Sequence, residues 1–201
     1  MDLFFLGSVL GWTALVVSLL AAATLSIVAF LRPRTALVWF AAGALGIALA
    51  AAASVPPPEP ASGATLLVVL AIAVAVFGGS PAATTALDLA MGASSVPGVH
   101  GGILVDAPAT RGEARAGVAA DAAPREVLRG GITIGVLERL ATAGAIVAGF
   151  PEALAIVVAV KGVGRFTELE APEARERFII GTFASIIWAA AAGLVVHLAL
   201  R

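Results

Sequence analysis

An all-α, polytopic helical membrane protein of about six membrane segments, with a charged helical hairpin near the C-terminus, is the fold class that three features of this sequence predict. Charged residues make up only 12% of the 201 residues, about half the share in an ordinary globular domain. Uncharged runs longer than about 18 residues recur, the length a helix needs to cross a bilayer. The basic residues gather in alternate connections between those runs, as the positive-inside rule requires.

The first segment runs from Leu3 to Leu31 without a charge. At about 1.5 Å per residue it is long enough for a hydrocarbon core of about 30 Å. Asp2 precedes it, and Arg32 and Arg34 follow it. A cleaved signal would carry its positive charge in front and a shorter apolar core, so this is read as a retained span.

Thr35 to Val55 forms the second segment, closed by Pro56, Pro57 and Pro58, which cannot continue a helix. Ala61 to Leu87 is the third. Gly78, Gly79, Ser80 and Pro81 interrupt it and predict a break or kink, and Asp88 ends it. Together these make an N-terminal three-helix membrane unit, residues 1–91.

Residues 92–129 are turn-rich and mixed in charge, and read as a cytoplasmic loop with room for a short surface helix. Ser94, Ser95, His100 and Asp106 lie there and supply the residue types of a hydrolase triad, a set that arises by chance in a loop of this length.

Residues 130–201 form the C-terminal three-helix unit. Gly130 to Gly149 is interrupted by Glu138 and Arg139; Phe150-Pro151-Glu152 makes a turn; Ala153 to Val160 leads into Lys161; Phe178 to Leu200 is the last span. Glu138 lies eleven positions before Gly149 and Lys161 eleven after Phe150, so both stand about 16 Å from the turn. An isolated charge near the bilayer centre costs about 2.5 to 3.5 kcal/mol or more, so an ion pair is expected. Arg165 is one helical turn from Lys161 on the same face, whereas Arg139 is turned about 100° from Glu138 and faces another neighbour. Glu168, Glu176 and Arg177 make a charged cytoplasmic mouth beneath.

Two readings of this hairpin follow: a polar path for an ion, proton, anionic solute or lipid headgroup, or a self-neutralised pair that locks two helices together. Gly181, Thr182 and Ser185 place small residues and hydroxyls on one face of the last span, suited to close packing or to hydrogen bonds with the hairpin. Gly7 with Gly11 and Gly131 with Gly135 predict further tight contacts. Asp88, beside Thr84, Thr85 and the helix break, is a weaker candidate for a cation site of the broken-helix kind.

The elements Gly135-x-x-Glu138-Arg139, Lys161-x-x-x-Arg165-Phe166-x-Glu168 and Glu176-Arg177-Phe178-Ile179-Ile180-Gly181-Thr182-x-x-Ser185 resemble the C-terminal region of uncharacterised bacterial polytopic membrane proteins. The resemblance covers about a third of the chain and implies a bacterial inner-membrane protein, with no activity to carry over.

Sorting the basic residues gives orientation. With both termini outside, Arg32, Arg34, Arg111, Arg115, Arg125, Arg129, Arg165, Arg175 and Arg177 are all cytoplasmic, and only Arg201 is outside. A net charge of −1 argues against nucleic acid, and the lack of Cys removes thiolate chemistry and cysteine metal sites. No metal or other cofactor is expected. The expected partners are membrane lipid and either a second copy or another membrane protein. A channel-like or transporter-like protein is the leading expectation, ahead of an accessory or scaffold subunit and a lipid-handling enzyme.

Overall fold

A backbone in hydrocarbon must satisfy its own polar groups, and this chain does so with helices. The computed structural model describes residues 3–57, 63–91, 103–105, 125–127, 131–164 and 172–201. Six helices occur among them: α1 (Leu3–Leu31), α2 (Thr35–Ala52), α3 (Ala64–Met91), α4 (Gly131–Val147), α5 (Ala153–Gly164) and α6 (Pro172–Leu200). The 92–129 region contributes two three-residue strands, Ile103–Val105 and Arg125–Val127, paired antiparallel with Leu104 opposite Glu126. That pairing stands where a loop with a surface helix was expected.

Local chemistry explains the boundaries. Helix α1 stops before Arg32, whose successor Pro33 disfavours the helical conformation. Helix α2 ends three residues before Val55, its last turn closed by Ser54 Oγ donating to the Ala51 carbonyl at 2.9 Å, ahead of Pro56 and Pro57. Helix α6 begins at Pro172, six residues before the expected Phe178, because proline suits a first helical position and the charged residues 175–177 continue the same helix.

The turn after α4 is glycine-dependent. Gly149 has φ of +73°; its N–H donates to the Ile146 carbonyl at 3.0 Å, and the Phe150 N–H donates to the Ala145 carbonyl at 2.8 Å. This is the paired bonding of a Schellman cap, followed by Pro151.

Helix α3 corrects the expected break. It runs unbroken through Gly78, Gly79, Ser80 and Pro81 and on past Asp88 to Met91. Proline and glycine are tolerated within membrane helices where neighbouring helices support the chain.

Helices α1, α2, α3 and α6 are long and apolar enough to cross a membrane. Helix α4 has 17 residues and α5 only 12, about 25 Å and 18 Å of rise. Of the six membrane segments expected, four have spanning length among the described residues, and the two that carry charges, α4 and α5, are shorter. The core lies where α3 packs on α1 and α6, with Leu15, Leu19, Leu67, Val74, Val195 and Val196 almost fully buried. Alanines 22, 48, 71 and 192 are equally buried, which lets the helix axes approach closely. Large apolar side chains point the other way: Leu10 is 67% exposed, Trp39 59% and Phe40 69%. Such a surface is a liability in water and the expected one in lipid. The chain has the build of a helical membrane protein.

Candidate functional site

Helix α4 carries two adjacent charges, and the helix turn sends them to different neighbours. Glu138 faces α5, where Lys161 Nζ donates to its Oε2. Lys161 Nζ also lies 5.6 Å from the centre of the Phe178 ring on α6, within cation–π range. Both side chains are mostly covered, at 11% and 16% exposure. Helix α5 has no buried residue of its own, so this ion pair is its one polar anchor among the described residues.

Arg139 faces inward and is 4% exposed. It is the ninth of the 17 residues of α4, opposite the middle of α3 and of α6. Three small residues make its slot. A Cβ on Gly79 of α3 would overlap Arg139 Cδ, and one on Gly135, a turn earlier in α4, would sit 3.1 Å from Nη1. Ser185 of α6 accepts a hydrogen bond from Nη1 at 3.2 Å. Side chains lean toward the start of their helix, so the guanidinium lies back over Gly135. Arg139 Nε is buried with no hydrogen-bond partner among the described residues.

The guanidinium borders a cleft of about 200 Å³ between α3, α4 and α6. Arg139, Lys161 and Arg177 supply three cations to its wall and Glu138 one anion; Ser80, Thr182 and Ser185 add hydroxyls. Arg177 is half-buried, and its Nε too has no partner among the described residues. A volume of this size holds several waters or a small anion, given about 30 Å³ per liquid water. The excess of positive charge in a wall of low polarizability favours the anion.

On the other side of the ion pair lies a larger groove of about 440 Å³ between α4 and α5, lined mainly by Ile134, Leu137, Ala141, Ile156, Val157 and Val160. Ile134, Glu138 and Lys161 border both spaces. The ion pair is the partition between a cationic cleft and an apolar groove.

The remaining candidates sort plainly. Glu176 is exposed at the start of α6. Gly181 contacts Leu87 of α3, where an added Cβ would lie 3.6 Å from Cδ1, and Thr182 is 8% exposed. Gly135 makes its close approach to Arg139 rather than to another backbone, and Gly7 has nothing within 4 Å of an added Cβ among the described residues. Asp88 lines a separate cleft of about 200 Å³ with Phe30, Arg34, Pro81 and Thr84. An unbroken α3 removes the broken-helix cation geometry from that position. Arg165 and Glu168, like Ser94, Ser95, His100 and Asp106, lie outside the described residues. Among the described residues, no group of His, Asp or Glu is arranged to hold a metal ion.

Sequence reasoning missed Gly79 and Trp188. Gly78 and Gly79, expected to interrupt the helix, act as receptacles. Gly78 admits the Trp188 ring, whose Nε1 donates to the Val74 carbonyl at 3.0 Å, and Gly79 admits the Arg139 stem. Two adjacent glycines in an otherwise apolar span were the available signal. Comparison with known protein families, curated proteins and solved structures finds no match to this chain.

Proposed function

We propose that this protein is a small transporter-like membrane protein, bacterial and of the inner membrane, whose substrate site is the cationic cleft at Arg139. The observation that carries this reading is a guanidinium at mid-helix, 4% exposed, bordering a cleft with its Nε lacking a partner among the described residues. A purely structural arginine at that depth would cost about 2.5 kcal/mol or more without full pairing, and here the pairing is left incomplete. Helix α5 serves as the gate. It is held to the bundle chiefly through Glu138 and Lys161, so parting that pair joins the cleft to the groove outside it.

Orientation follows the charge distribution. Gly131 and Arg177 border the same cleft, and an added Cβ at Gly149 would lie 3.7 Å from His197, so α4 and α6 run in the same direction. Arg32, Arg34, Arg175 and Arg177 then mark one end of the bundle, which the positive-inside rule makes cytoplasmic. Both termini face outward, and the cleft opens toward the cytoplasm.

The test is transport in reconstituted vesicles, using chloride, inorganic phosphate and a fluorescent phosphatidylglycerol as probes. At least one should move faster than in protein-free vesicles, and Arg139→Gln should abolish the excess while the protein still elutes as a folded species. Movement of none of the three overturns the reading.

A second reading is favoured by the apolar groove: an accessory subunit that receives a helix of another membrane protein between α4 and α5. It predicts no transport and a stoichiometric co-purifying protein.

A further inference from the structure

The cationic cleft and the apolar groove share Ile134, Glu138 and Lys161 along their common edge. Each suits half of one kind of molecule. The cleft offers the planar N–H forks of Arg139 and Arg177, whose Nε atoms lack protein partners among the described residues, a donor geometry that matches phosphate oxygens. The groove offers almost no polar lining beyond the shared pair. Its walls face outward: Leu137 is 61% exposed, Ile156 62% and Val160 67%, so a chain entering from the bilayer meets no obstruction among the described residues. From Ile156 to Gly164 the groove follows α5 for about 12 Å.

We infer that the two spaces bind a single anionic phospholipid, with its phosphate in the cleft between Arg139 and Arg177 and one acyl chain in the groove between α4 and α5. This rests on the cleft being an anion site, as proposed above, and names the class of anion. A free anion would use the cleft and leave the groove without a role. A zwitterionic lipid such as phosphatidylcholine offers the same phosphate but brings its trimethylammonium group against a wall that already holds Arg139, Lys161 and Arg177, so like-charge repulsion offsets the phosphate contacts. For an anionic lipid the charge and the apolar surface are complementary in one pose, and its phosphate would compete with Glu138 for Lys161. Lipid entry and opening of the α5 latch are then the same event.

The test is equilibrium binding to the purified full-length protein in neutral detergent, followed by native mass spectrometry. Three ligands are titrated: dioleoyl phosphatidylglycerol, dioleoyl phosphatidylcholine, and glycerol 3-phosphate as a headgroup without chains. Phosphatidylglycerol is expected to bind at least tenfold more tightly than either of the others. Arg177→Ala should remove most of its advantage over phosphatidylcholine. Ala141→Trp, which fills an exposed groove position, should weaken both lipids at least tenfold and leave glycerol 3-phosphate unchanged. Equal binding of the two lipids overturns the inference, as does a groove-filling variant that binds phosphatidylglycerol normally. Binding of glycerol 3-phosphate as tight as that of phosphatidylglycerol also overturns it, while leaving the cleft standing as an anion site. Binding of no anion at all overturns both.

Discussion

Replacing Glu138 with Gln removes one charge and keeps the side-chain shape, so it isolates the ion pair. Taking one partner from a fully buried pair costs about 3 to 5 kcal/mol, whereas exposed pairs are worth about 0 to 1 kcal/mol. With Glu138 and Lys161 at 11% and 16% exposure, the loss lies between these limits. Lys161 keeps the Phe178 ring at 5.6 Å, worth about 0.5 to 2 kcal/mol, and Gln still accepts one hydrogen bond. A net loss of about 2 kcal/mol follows, which at about 2 to 4 °C per kcal/mol for a chain of this size lowers Tm by about 4 to 8 °C. The assay is thermal melting in detergent of wild type, Glu138→Gln, Lys161→Met and the double variant. The double variant should lose less than the sum of the single losses, because neither partner is then left uncompensated. A Glu138→Gln protein that melts with wild type, or single losses that simply add, refutes the claim that this pair anchors α5.

The glycine slots and the orientation supply further tests. Gly79→Ala places a methyl group against Arg139 Cδ and should cost about 1 to 3 kcal/mol by overpacking; Gly43→Ala, with nothing within 4 Å, should be neutral or stabilising by up to about 1 kcal/mol from helix propensity, and the two melting curves should separate accordingly. Trp188→Phe removes the bond to the Val74 carbonyl and should lower stability by about 0.5 to 1.5 kcal/mol, with the same melting assay as readout. A reporter active only in the cytoplasm should be silent when fused after Arg201, and activity there would reverse the assigned sides.

Much of the helix plan was legible because it depends on uncharged length, and that is a one-dimensional property. Leu3–Leu31 appears with the predicted boundaries, and the equal offsets of Glu138 and Lys161 from the Gly149 turn bring the two side chains together. What stayed hidden needed three dimensions. The slot for Arg139 draws on Gly79, Gly135 and Ser185 from three helices, and nothing in their separation along the chain announces it. The expected break in α3 is absent because Gly78 to Pro81, which would interrupt an isolated helix, are supported here by neighbours. The start of α6 was placed late because hydropathy stops at charge, whereas helix formation from Pro172 does not. The strand pair at 103–105 and 125–127 was missed since three-residue strands carry almost no periodic signal.

The positively charged cleft between α3, α4 and α6 is open to one clean measurement because the chain lacks cysteine. Ala83 lines the cleft, whereas Phe183 is 53% exposed on the outer surface of α6. Single cysteines at these two positions would be challenged, in inside-out vesicles, with membrane-impermeant methanethiosulfonate reagents of negative and positive charge. Ala83→Cys should react, and react several-fold faster with the anionic reagent, while Phe183→Cys stays unmodified within lipid. An unreactive Ala83→Cys, or one that prefers the cationic reagent, contradicts the cationic cleft.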